Sequence, residues 1–294
     1  MSYLQAQRST NKRFIEDGNP VLMLIFINVF FFILLNFIQI TYVLSNAEPG
    51  SFERQVLRWF VLPGSAEILL SRPWTLLSHM FSQISLWHMI GNMFFLWAFG
   101  YLLQDITGRS HVTPLYLYGA VVGAVFFLLS VNLIPRFAAM ANVLVYTGAA
   151  AAVMCIAVAA TVLAPDYRVF PMINGGIPLW IITVIYIIID FAGLASAAFP
   201  HHLAHLAGAV MGFVYIRALQ RGADWGAWMH RLYDGFLNLF QPKPKKQKPT
   251  LKKAVFYNTK GSTPYRKTPK ITQERICLLY TSDAADEQHC VDPG

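Results

Sequence analysis

His88 and Asn92 stand four residues apart in an apolar stretch, so on a helix both fall on one face. An ionisable side chain at membrane depth costs roughly 2.5 to 3.5 kcal/mol on insertion scales, so each polar residue there needs a partner or a purpose. Gly148-Ala149-Ala150-Ala151-Ala152 has the opposite character: its side chains are all small and let another helix come close. Ala204-His205-Leu206-Ala207-Gly208-Ala209-Val210-Met211-Gly212 combines the two, placing a histidine just ahead of a Gly-x-x-x-Gly packing pair. Asp190, also inside an apolar run, reads as a bonded or neutralised core carboxyl rather than a second acid. His79 reads as a loop anchor. Together with His79, His88 and His205, the adjacent His201 and His202 fall near one rim and raise the question of a metal. No His-Glu-x-x-His motif is present, however, and neighbouring residues on a helix splay apart. The sequence predicts neither metal nor cofactor.

The elements that must hold these residues are apolar helices. Of the 294 residues, 55% are hydrophobic and 13% charged, against roughly 25% charged in an ordinary soluble domain. Windows of about 19 residues predict spans at 21–44, 85–103, 114–134, 143–163, 177–194 and 202–219. The first run is too long for a signal-peptide core. With both termini on one side, that side carries Arg8, Lys12, Arg13, Arg109, Arg168 and the basic tail, while the other carries Arg54, Arg58, Arg72 and Arg136. The positive-inside rule then makes both termini cytoplasmic. Asn28, Asn36 and Gln39 share one face of the first span, which should look into a bundle. The stretch between the first two spans, with Trp59, Trp74 and three prolines, predicts short helices and turns along the interface.

The net charge of +8 sits mostly in the tails and reads as an orientation signal rather than a nucleic-acid surface. Three cysteines, Cys155, Cys277 and Cys290, make no disulfide framework. The domain plan is a cytoplasmic segment at 1–20, a six-helix membrane domain at 21–220 and an amphipathic interfacial helix at 221–241. A basic disordered tail follows at 242–276, placed to meet anionic headgroups. Residues 277–294 contain Cys277-Leu278-Leu279-Tyr280-Thr281-Ser282-Asp283-Ala284-Ala285-Asp286-Glu287, which looks like a translated sequencing adapter and is left out of fold reasoning.

The order of the motifs is more telling than any one of them. His-x-x-x-Asn on span two, Gly-x-small on span four and Ala-His-x-x-Gly-x-x-x-Gly on span six resemble the rhomboid family of intramembrane serine proteases. The stretch Arg72-Pro73-Trp74-Thr75-Leu76-Leu77-Ser78-His79-Met80-Phe81, running on to Trp97-Ala98-Phe99-Gly100, strengthens the resemblance, which covers roughly residues 20 to 220. It implies an all-α, six-span bundle and a Ser-His dyad. His205 would be the general base, while His88 and Asn92 would stabilise the oxyanion with a backbone N–H at the head of span four.

The family's Gly-x-Ser reads Gly148-Ala149-Ala150 here, so Ala150 stands where the nucleophile belongs. In serine hydrolases, loss of the nucleophile costs on the order of 10⁶-fold in turnover. Thr147 lies nearly a turn away and would not overlay the missing hydroxyl, and Ser130 and Ser196 have no supporting motif. Ala151, Met154 and Gln104 depart from the family pattern less severely. The leading expectation is a proteolytically inactive rhomboid homologue that binds transmembrane segments of client proteins. The alternatives are an active endopeptidase, if the natural residue at 150 is serine or another hydroxyl acts, and a metal or proton transporter using the rim histidines. With no transit sequence ahead of the first span, the expected location is a bacterial inner membrane.

Overall fold

The computed structural model describes residues 18–169, 176–229 and 231. Its main helices are α1 (Pro20–Leu44), α2 (Leu86–Thr107), α3 (Val112–Leu133), α4 (Ala150–Leu163), α5 (Leu179–Gly193) and α6 (Phe199–Gln220). The fold is mostly helical, and four of these helices, α1, α2, α3 with its leading turn, and α6, are long and apolar enough to cross a membrane. α1 starts where Asn19 accepts hydrogen bonds from the N–H groups of Val21 and Leu22, with Pro20 at the first helical position. It shows Phe26, Phe30, Ile33, Phe37 and Ile40 to the outside, the surface expected of a helix in lipid.

The two remaining helices are shorter than the sequence pattern suggests. Fourteen residues in α4 and fifteen in α5 rise only about 21 and 22 Å, against a hydrocarbon layer of about 30 Å. The predicted start at Val143 fails because residues 145–146 leave the helical path. Val145–Tyr146 (β2) pairs antiparallel with Leu62–Pro63 (β1). Gly148 then adopts φ +92°, a left-handed turn that favours glycine, and its N–H donates to the carbonyl of His79 at 2.8 Å. α5 similarly begins only after Arg168–Val169 (β3) has paired with Ile177–Pro178 (β4).

α4 is the central rod, and every residue from Ala151 to Ala160 is buried. Its small side chains admit neighbours that are also small. A β-carbon on Gly208 or Gly212 of α6 would run into the carbonyl oxygens of Ala151 and Cys155, and one on Gly119 or Gly123 of α3 would strike the side chains of Cys155 and Ala151. The Gly-x-x-x-Gly pair therefore packs as the sequence suggests, backbone against backbone.

Between α1 and α2 the chain forms short helical turns. Trp59 and Trp74 stack at 6.1 Å, the Trp74 indole donates to the Trp59 carbonyl, and the Arg72 guanidinium lies 4.4 Å from the Trp59 ring centre. Past α6, the Trp228 indole donates to the Tyr118 hydroxyl, which itself donates to the carbonyl of Trp225. Most of the amphipathic helix expected at 221–241, with the segments 1–17, 242–276 and 277–294, lies outside the described residues.

Candidate functional site

A cavity of about 320 Å³ opens at the end of the bundle that carries the β1–β2 pair. Four residues singled out in the sequence, His88, Asn92, Ala150 and His205, line it together. Each arrives on a different schedule. His88 sits exposed on the first turn of α2, and Asn92 one turn deeper is buried. Ala150 is the first residue of α4, where the orphan N–H groups of a helix start create a partial positive charge. His205 lies half-buried in the second turn of α6.

The Asn92 carboxamide is not idle. It donates to Gln83 Oε1 at 2.8 Å, Gln83 donates to Asn28 Oδ1 at 2.9 Å, and Asn28 donates to the Tyr116 hydroxyl, which donates to the carbonyl of Met80. This chain joins α1, α2 and α3 to the loop before α2 and fixes one wall of the cavity. Gln83 was not marked by any motif; only its position in a polar segment just before an apolar helix could have drawn notice.

His79 is fully buried, with Nδ1 3.1 Å from the carbonyl of Thr75 and its ring against Tyr146. Burial pushes its imidazole down to about 4, so it is neutral at physiological pH. Its carbonyl holds the turn at Gly148, which makes it a support for the head of α4.

Asp190 of α5 reaches two imidazoles of α6. Its Oδ1 lies 2.8 Å from His202 Nδ1 and 2.9 Å from His205 Nδ1, while its Oδ2 is buried without a hydrogen-bond partner. The three donor atoms fall within 4.8 Å of one another. His201 turns away from its neighbour, its Nε2 3.0 Å from the Val145 carbonyl, which ties α6 to β2. Sequence reasoning missed the Asp190 pairing, although a signal was present: Asp190 stands three residues before the end of α5 and His202 three after the start of α6, the same height on an antiparallel hairpin.

Of the other hydroxyls considered, Thr147 lines the cavity. Ser130 lies near the end of α3 and donates to the carbonyl of Phe127; Ser196 donates to that of Gly193. Met154 is buried among Val158 and Ala209 at the α4–α6 contact, and Gln104 is buried with its Oε1 unpartnered.

The sequence matches the Rhomboid domain family over residues 70–222, just over half of the chain. The chain belongs to the rhomboid family. The match takes in α2 to α6 and the loop before them and leaves α1 outside. Among curated proteins, this rhomboid is similar to the mitochondrial presenilin-associated rhomboid-like proteins of cattle and human, each 27% identical over 172 residues, and of mouse, 28% over 174 residues. The alignments cover 56% of this chain and 42% of each relative, so the chain spans less than half the length of the curated relatives it matches. These relatives overturn the expected bacterial inner membrane, because they are mitochondrial by name. That expectation rested on what precedes the first span, where a rhomboid aligned to less than half of its relatives carries no information. The membrane-spanning helices themselves stand.

Proposed function

We propose that this rhomboid is a six-span membrane protein whose protease site has lost its nucleophile and which binds transmembrane segments of other membrane proteins without cutting them. The observation that carries the reading is the position of Ala150: it heads α4 on the wall of the same cavity as His205, His88 and Asn92. His205 occupies the base position and His88 and Asn92 the oxyanion positions, but a methyl group cannot attack a carbonyl. The missing element is one oxygen rather than an architecture. α4 and α5 are the fourth and fifth spans in this reading; α4 is short because it is sheathed in protein, where its ends need not reach the lipid surface. Around them α1 and the exposed face of α5, with Trp180, Ile185, Ile188, Ile189 and Phe191, meet lipid or a client helix.

The test is Ala150→Ser, assayed with a transmembrane reporter and a fluorophosphonate probe. We expect weak cleavage and single-site labelling, both abolished by adding His205→Ala. No labelling in Ala150→Ser would mean that the cavity no longer supports acyl transfer. A second reading, an active endopeptidase, draws on Thr147, whose hydroxyl-bearing side chain is also on the cavity wall. Probe labelling of the unaltered chain, lost in Thr147→Val, would establish it.

A further inference from the structure

The strongest cluster that reaches beyond this reading is the one across the α5–α6 hairpin, which shares only His205 with it. We propose that Asp190, His202 and His205 form a binding site for a divalent transition metal of the zinc class, with three protein donors and a fourth position open to the cavity. The proposal stands whether or not the chain binds client helices.

Three observations support it. The donor set is one carboxylate and two imidazoles, the composition that zinc sites with an open position use. The donors already converge: the two Nδ1 atoms approach the same carboxylate oxygen at 2.8 and 2.9 Å, and all three ligand atoms lie within 4.8 Å. A tetrahedral ion with bonds of about 2.0 to 2.1 Å needs its donors about 3.3 Å apart, so each imidazole must draw back from the carboxylate oxygen by about half an ångström while the two histidine nitrogens, within 4.8 Å, close by at most about 1.5 Å. Side-chain rotation supplies that without moving a helix. Third, the second carboxylate oxygen is buried and unpartnered, whereas Asp190 as a whole is 3% exposed. A buried carboxylate with one oxygen unpartnered keeps unmet acceptor capacity, which a cation would satisfy.

The backbone also prepares the site. His202 and His205 are three apart on α6 and so share a face. Gly193 at the end of α5 leaves room for the His202 ring, since a β-carbon there would overlap it. Each imidazole binds as its neutral form with the proton moved to Nε2, which frees the Nδ1 lone pair. His202 and His205 also line the cavity, so water or a small ligand reaches the fourth position from there.

The experiment uses the full chain purified in detergent, stripped with a chelator and titrated with Zn²⁺ and Co²⁺. We expect one ion per chain, the intense visible absorption of four-coordinate cobalt, and no thiolate charge-transfer band. Asp190→Asn and His202→Gln should each weaken zinc binding by more than about a hundredfold, the upper range for loss of a mere supporting partner. His111→Gln, at the opposite end of the bundle, should leave it unchanged. Failure to bind, weak six-coordinate cobalt bands, a thiolate band, or affinity unaltered in both variants would each overturn the proposal. The cobalt spectrum of the unaltered chain keeps the test decisive if a variant does not fold.

Discussion

Gly212→Ala adds a single methyl group, and the structure predicts that it is among the most damaging small changes available. The new β-carbon would overlap the Cys155 carbonyl oxygen and crowd the carbonyl carbon and Cα of the same residue at 2.9 and 3.1 Å. All three are backbone atoms of a buried helix, so no side chain can turn aside. Restoring van der Waals distance requires α6 and α4 to separate by about 1 Å along their closest contact, which strips dispersion energy from both walls. Overpacking of this kind costs typically 1 to 3 kcal/mol, and the rigid partner puts this case at about 3. For a domain of this size that corresponds to a midpoint lowered by about 6 to 12 °C. Gly91→Ala is the internal control: it is also a helical glycine, but its added methyl meets nothing within 4 Å. There the gain in helix propensity, about 0.8 to 1 kcal/mol, should hold or raise the midpoint. Thermal unfolding followed by tryptophan fluorescence at one scan rate separates the two. If both substitutions shift the midpoint in the same direction, the close α4–α6 contact is not what holds the bundle together.

Replacing Gln83 by leucine should leave Asn28 Oδ1 and the Asn92 amide without their buried partners, a loss of about 2 to 6 kcal/mol at roughly 1 to 3 per orphaned group. The same unfolding assay reads it, and a shift no larger than that of an exposed substitution would remove the network from the account. His79 gives a pH dependence. Its folded-state value of about 4 lies below the ordinary 6.5, so the unfolded chain binds more protons between those values and stability falls as pH falls through that window, by about 3 kcal/mol in all. His79→Gln should flatten the profile between pH 6.5 and 4 relative to the parent, and an unchanged slope would show that the ring is protonated in place.

Helix positions were legible from the sequence because long apolar runs leave few alternatives, and the six runs correspond to α1 to α6. The head of α4 was not, because a hydropathy window counts Val143, Leu144 and Val145 as helix and cannot see that the pairing of 145–146 with 62–63 pulls them out of it. Gly148 carried the hint, as a residue free to turn left-handed. In the candidate site, spacing within a single helix was readable, as with His88 and Asn92. Partners across helices were not: Asp190 meets His202 and His205 only because α5 folds back on α6, and Asn92 meets Gln83 only because the preceding loop tucks beneath it. The location failed for a different reason, since it was inferred from flanking sequence rather than from any residue that packs.

The enclosure of α4 separates two jobs that a spanning helix usually performs at once. The encircling helices take up hydrophobic mismatch by tilting, while the rod inside, with no lipid neighbour along Ala151 to Ala160, keeps its register. A change from a thick to a thin bilayer would therefore lean the palisade around a stationary post. The depth of the well above Ala150 becomes a function of the surrounding lipid, although no residue lining it has changed.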